Sequence, residues 1–268
     1  MLAEIYISLI QAIFLGIVQG LTEFLPVSSS GHLVFFQSFF GLKEPQLFFN
    51  VMLHFGTLLA VLVYFRTDLW EMIRCVGLRL KGKREGEKEV KLFLWIILAT
   101  LPTGLMGILF KDWFESLFSK PKTVGIMLLV TGLILWLTRW NGKQEKTIKE
   151  MRWFDALLIG VAQGIAIIPG ISRSGATISV GLFCGLNREL AGRFSFLLSI
   201  PAILGATLLE IHNLDSLAKL DTAMIGAAVA FVTGILSLTL LMKIIRMGKI
   251  SNFAYYCWPI GAIMIILT

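Results

Sequence analysis

At 268 residues and 29.9 kDa the chain has room for one or two water-soluble domains, but 56% hydrophobic against 15% charged residues excludes them. With a mean hydropathy of +0.81, polar side chains are too few to cover a globule, and an integral membrane protein is expected. The net charge of +7 would suit nucleic acid, yet the bases cluster in 66–91, 139–152 and 243–250, between long apolar runs and without interleaved aromatics, so no nucleic-acid partner is expected.

In chain order, the N-terminus has no short apolar stretch followed by a small-residue cleavage site, so no cleaved leader is expected and the first membrane segment does the targeting. Region 1–42 is apolar but broken at Pro26-Val27-Ser28-Ser29-Ser30-Gly31-His32. A span is expected over 47–65, where Asn50 either lines a site or bonds a neighbouring helix and His54 reads as structural. Residues 66–91, with eight Lys/Arg, read as a loop. Spans over 92–110 and 122–139 flank a loop at 111–121, and a second basic loop covers 139–152. Region 153–187 repeats the plan of the first, broken at Pro169-Gly170-Ile171-Ser172-Arg173-Ser174-Gly175. Spans over 190–210, 222–243 and 252–268 complete the chain, with His212 in a loop. Each of the six runs is close to the twenty or so residues that cross a bilayer core of about 30 Å. Cys75, Cys184 and Cys257 are scattered, without metal or redox spacing, and read as packing residues.

A Pro/Gly/Ser break at membrane depth leaves backbone groups unpaired and is tolerable only inside protein or against a water-filled cavity. Both broken regions therefore read as re-entrant helical hairpins. Placing 66–91 inside puts 139–152 and 243–250 inside too, and 111–121 and 211–221 outside. Sixteen Lys/Arg then face inward, against Lys43, Lys111, Lys120, Lys122 and Lys219 outside. At a constant offset of 144, Gly16, Gln19, Gly20, Ser28, Ser30 and Gly31 fall on Gly160, Gln163, Gly164, Ser172, Ser174 and Gly175. The expected architecture is an all-α integral membrane protein of about six transmembrane helices plus two re-entrant hairpins, arranged as an inverted-topology repeat. It forms one membrane domain over 1–268, with halves 1–150 and 151–268. In such plans the broken half-helices meet near the midplane and build the site.

The repeats differ where chemistry is expected. Between Ile5 and Leu42 the one fixed charge is Glu23, and between Ala156 and Asn187 it is Arg173. A lone charge at membrane depth is a functional-site hypothesis. Gln19 and Glu23, four apart, share a helix face. Ser28, Ser29, Ser30, Gly31 and His32 sit where a new helix begins, as do Ser172, Arg173, Ser174, Gly175, Ala176 and Thr177. Helix N-termini offer unpaired N–H groups to anions, and a guanidinium grips phosphate bidentately. Together these point to an enzyme acting on a phosphate headgroup. A structural Glu23–Arg173 pair and a capping role for Ser28 are the plainer readings of the same residues.

The stretch Gln19-Gly20-Leu21-Thr22-Glu23-Phe24-Leu25-Pro26-Val27-Ser28-Ser29-Ser30-Gly31-His32 resembles the signature of the bacterial undecaprenyl-diphosphate phosphatase family, the bacitracin-resistance type. Pro169-Gly170-Ile171-Ser172-Arg173-Ser174-Gly175-Ala176-Thr177 is similar to its second signature, and Leu53-His54-Phe55-Gly56-Thr57 to a third shared stretch. The resemblance implies an inner-membrane, multi-pass hydrolase that removes the terminal phosphate of undecaprenyl diphosphate and so recycles the lipid carrier of cell-wall synthesis. It implies interlocked repeats, a homodimer, and a site reached from the outer side. Glu23, Ser29, His32 and Arg173 match the family's catalytic positions. Gln19, Ser28, Ser30, Gly170, Ser172, Ser174, Gly175 and Thr177 are expected around the substrate. Glu23 would act as base or, with Gln19, bind a divalent cation, Mg²⁺ or Ca²⁺; Gln19 leaves that motif a single carboxylate. Ser29 would attack phosphorus or position a water, and His32 would shuttle a proton. A polyprenyl-phosphate transporter would share the repeat and the anion site, but would need no nucleophile.

Overall fold

A computed structural model of the protein describes residues 7–42, 46–118, 120–140, 142, 145–210 and 220–267. The expected external loop with His212 and Lys219, the loop residue Lys43 and the start of the first hairpin lie outside them. Twelve α-helices follow in order among the described residues: α1 Leu9–Phe24, α2 Ser29–Phe39, α3 Leu47–Tyr64, α4 Arg66–Leu80, α5 Glu87–Leu109, α6 Lys111–Phe118, α7 Pro121–Leu137, α8 Trp153–Ile165, α9 Arg173–Phe183, α10 Arg188–Glu210, α11 Leu220–Arg246 and α12 Ala254–Leu267. Helices α5, α7, α10, α11 and α12, two of them with short 3₁₀ extensions, are long and apolar enough to cross a membrane, and α3 begins a sixth span. Their outward faces carry exposed Leu101, Ile108, Val232 and Leu236. Such faces suit lipid, and the chain is a multi-pass, all-helical membrane protein.

One expectation is corrected. Residues 66–91 are not a loop: α4 continues from α3 after a 72° bend at Phe65, and only 81–86 form a turn before α5. Leu69, Met72 and Val76 recur at helical spacing among the charges, and Met72 is buried. The charge density that makes the segment read as a loop does not bar it from being helical. Likewise, the expected loop 111–121 contains α6.

The two broken regions form α1–α2 and α8–α9. Leu25, before Pro26, has ψ 138°, the extended conformation that a following proline favours, and α1 stops there. Ser28 then caps α2 through its Oγ, which accepts from Gly31 N at 3.3 Å, and Ser172 caps α9 in the same way at 3.1 Å. The hairpins exchange partners across the molecule: α1 packs along α11 and α8 along α5. Glycines at the repeat offset make both contacts possible. A Cβ at Gly16 would meet the Gly226 carbonyl oxygen at 2.6 Å, and one at Gly160 would collide with the Ala99 carbonyl. This exchange brings the two breaks face to face in the interior.

Candidate active site

Glu23 lies on the last turn of α1, one turn after Gln19, whose Nε2 donates to Glu23 Oε2 at 3.1 Å. Across the break, Ser29 opens α2 and its Oγ donates to the same Oε2 at 2.6 Å. From the other hairpin, Arg173 opens α9 and its Nη2 donates to Glu23 Oε1 at 2.8 Å. Acid and guanidinium thus meet across 150 residues of sequence. Glu23 is 6% exposed and Gln19 fully buried. Burying a charge this deeply is costly unless it is paired and hydrogen-bonded, and Glu23 is both.

Among the described residues, two buried polar atoms of this cluster have no hydrogen-bond partner: Arg173 Nη1 and Gln19 Oε1. Buried polar groups are nearly always satisfied, so each orphan calls for an explanation. One arm of the guanidinium fork holds the carboxylate and the other is open, which is the arrangement for adding a phosphate oxygen. The caps take the Gly31 and Gly175 N–H groups, leaving the first N–H groups of α2 and α9 as further anion donors.

A residue read as structural also belongs here. His54 on α3 donates Nδ1–H to the Asn50 carbonyl at 2.7 Å, since a carbonyl only accepts, and its Nε2 then faces Glu23 Oε2 at 3.6 Å. Asn50 Oδ1 in turn accepts from Gln37 Nε2 of α2 at 2.6 Å. The signal was present: Asn50, His54 and Thr57 stand at i, i+4 and i+7, a polar stripe on an otherwise apolar helix. At 3.6 Å this contact is longer than a hydrogen bond and is worth at most about 1 kcal/mol. His54→Ala is therefore expected to lower turnover by up to about fivefold with the fold intact, read as phosphate release beside a thermal melt. Unchanged turnover would remove His54 from the site.

His32 is placed differently. Its Nδ1–H donates to the Ser28 carbonyl at 2.8 Å, and its Nε2 accepts from the Tyr256 hydroxyl of α12 at 2.8 Å, with the two rings stacked. These bonds tie it to the turn, where Ser28 has φ 67°, the one positive φ outside glycine among the described residues. Strain of this kind persists only where the surroundings enforce it.

The remaining expected substrate contacts make their described hydrogen bonds within the protein. Ser28 and Ser30 Oγ are 3.3 Å apart, and Ser172 and Ser174 Oγ are 3.2 Å apart. Ser172 N donates to Thr131 Oγ1, which donates to the Gly170 carbonyl. Gly170 has φ 97°, and a Cβ there would collide with the Val124 carbonyl. Gly175 leaves little room either, since a Cβ would meet Ser172 and Pro26 at 3.1–3.3 Å. Thr177 Oγ1 bonds the Arg173 carbonyl and Ser195 Oγ. These residues set the positions of Ser29 and Arg173.

For a metal, no group of three or more His, Cys, Asp and Glu comes together among the described residues. The available hard oxygens are the Glu23 carboxylate and the orphan Gln19 Oε1. This donor set fits a Mg²⁺ or Ca²⁺ ion only if phosphate oxygens and water complete its shell, as Mg²⁺ sites at phosphates usually arrange.

Comparison with known proteins places nearly the whole chain in one family. The bacitracin resistance protein BacA family matches residues 12–263. A Halothermothrix orenii protein named Undecaprenyl-diphosphatase is 48% identical over 262 residues, covering 96% of this chain and 97% of that one. Proteins of the same name from Desulfosudis oleivorans and Carboxydothermus hydrogenoformans are 49% and 45% identical, covering 95% and 96% of this chain and 96% of each of theirs. A match of this extent leaves one assignment: the chain belongs to the BacA family of bacitracin resistance proteins.

Proposed function

We propose that Glu23, Ser29 and Arg173 are the reacting centre through which this chain hydrolyses undecaprenyl diphosphate to undecaprenyl phosphate and phosphate, the activity that recycles the lipid carrier and underlies bacitracin resistance. The observation that carries the assignment is the 2.6 Å hydrogen bond from Ser29 Oγ to a carboxylate whose other oxygen is held by Arg173. A nucleophile bonded to a base that a third group orients is the signature of an activated hydroxyl.

In this scheme Arg173 Nη1 and the free N–H groups of α2 and α9 hold the diphosphate with its terminal phosphorus at Ser29. Ser29 Oγ attacks phosphorus, its proton passes to Glu23 Oε2, and the bond to the bridging oxygen breaks, releasing undecaprenyl phosphate. Glu23 passes that proton to the departing undecaprenyl phosphate; water then attacks the phosphoserine, Glu23 takes the water's proton and returns it to Ser29 Oγ as the P–Oγ bond breaks, and phosphate leaves. In the alternative role of Glu23, it and Gln19 Oε1 would hold a divalent cation, whose chemistry is to neutralise charge on the phosphates. The isoprenoid tail lies between helices in lipid. Purified protein in detergent should release phosphate from undecaprenyl diphosphate; binding without release would favour a transporter.

The proposal includes the bacterial inner membrane, a homodimer, and inverted repeats with the site opening outward. Support for the orientation comes from the sixteen-to-five basic asymmetry and from the exchanged packing of α1 and α8. Cysteines introduced at Ser116 and Gly142 should label from opposite sides with a membrane-impermeant thiol reagent. Labelling from one side would overturn the orientation.

A further inference from the structure

Helix α4 starts where the span α3 ends and leaves it at 72°. A helix at 72° to a span lies nearer the plane of the bilayer than its normal. Between Arg66 and Arg84 the chain carries Arg66, Arg74, Arg79, Lys81, Lys83 and Arg84 against two acids, Asp68 and Glu71. Asp68 is already taken by Arg193 of α10, at 2.5 Å.

The helix is held in one rotation. Met72 is buried, α4 packs against α5, and the Asp68–Arg193 pair ties a further side to α10. What remains outward is an apolar stripe at i, i+3, i+7 and i+10: Trp70, Ile73, Gly77 and Leu80. Trp70, Ile73 and Leu80 are 69%, 66% and 84% exposed. At 3.6 residues per turn, Arg66 falls on the line of this stripe at its N-terminal end and Arg74 and Lys81 fall along one edge, all within an arc of about 120°. Lys83 and Arg84 follow in the exposed turn. Apolar side chains that include a large aromatic, with bases beside them, are the composition of a helix lying in a lipid interface. A run of four to eight bases just cytoplasmic of a span is, in charge, the complement of an anionic leaflet.

We propose that α4 with the turn at 81–84 is a binding site for the headgroups of anionic phospholipids in the cytoplasmic leaflet. Trp70, Ile73 and Leu80 enter the acyl boundary, and Arg74, Lys81, Lys83 and Arg84 bind the phosphates. This site lies on the opposite end of α3 from Asn50 and is independent of the phosphatase chemistry.

Trp70 reports on the site directly. The protein is reconstituted in nanodiscs of phosphatidylcholine with a minority of phosphatidylglycerol, bromine being carried by one lipid or the other. The fluorescence lost on Trp70→Phe isolates the Trp70 signal. The expected result is that brominated phosphatidylglycerol quenches Trp70 at least about twofold more per lipid than brominated phosphatidylcholine. That excess should vanish in Arg74→Gln/Lys81→Gln/Lys83→Gln/Arg84→Gln, whose turnover in detergent stays normal. Because the wild-type comparison stands alone, a poorly folding variant does not shield the proposal. Equal quenching per lipid would reduce α4 to a neutral interfacial helix. No quenching by either lipid would mean that the face meets water or a second copy, and cross-linking at Ile73→Cys tells these apart. Loss of the excess on adding inorganic phosphate at matched ionic strength would make this a free-anion site. Any of these three results overturns the proposal.

Discussion

Glu23→Gln is expected to leave a folded protein that still binds the lipid diphosphate and turns over at least about a hundredfold more slowly. Glutamine keeps the shape and an oxygen for Arg173 Nη2, but puts an amide where Oε2 accepts the Ser29 hydroxyl proton. The base is lost while the pair with Arg173 survives as a neutral-to-charged hydrogen bond. If Glu23 served only to neutralise Arg173, the variant would instead leave a buried guanidinium uncompensated, at a cost of about 3–5 kcal/mol. Thermal stability and binding would then fall together, with each remaining folded molecule fully active. Turnover, a substrate-binding titration and a melt on one preparation separate the two.

Ser29→Ala is expected to lose nearly all turnover and little stability. Ser29 sits at the first position of α2 and its hydroxyl bonds to Glu23 rather than to the backbone, so the helix does not depend on it. Its neighbour behaves oppositely. Ser28 Oγ caps α2, so Ser28→Ala should cost about 1 kcal/mol of stability through the lost cap and keep most of its chemistry. Retention of a tenth or more of the wild-type rate in Ser29→Ala would make water the nucleophile and Ser29 its positioner.

The sequence makes the centre of the site legible because membrane depth removes ambiguity. One acid and one base in two broken apolar regions have few partners other than each other, and Glu23 and Arg173 do meet. Pro26 and Pro169 mark both breaks for the same reason, since backbone without hydrogen bonds is intolerable in lipid. His54 was harder to assign. Its contact with Glu23 depends on the rotation of α3 about its axis, which is fixed where Gly56 presses against Ala227 of α11, and no local pattern encodes that. His32 points to Tyr256, 224 residues away, on a helix whose position follows from packing against α7. The hydroxyls around the two signatures look alike in sequence. Only the turn geometry shows Ser28 and Ser172 spent on caps and Ser29 directed at the carboxylate. Helix α4 was missed because its charges suit a loop and a surface helix equally, and the contact of Met72 with the core decides between them.

The central claim is that Glu23 and Ser29 act as one unit, base and nucleophile on a single proton. The most direct measurement is phosphate release from undecaprenyl diphosphate by purified Glu23→Gln, Ser29→Ala and the double variant, each normalised to folded protein. Residues that act together are strongly non-additive, so the double variant should be no slower than the slower single variant. A double variant whose loss is the product of the two single losses would show two independent contributions and would contradict this account.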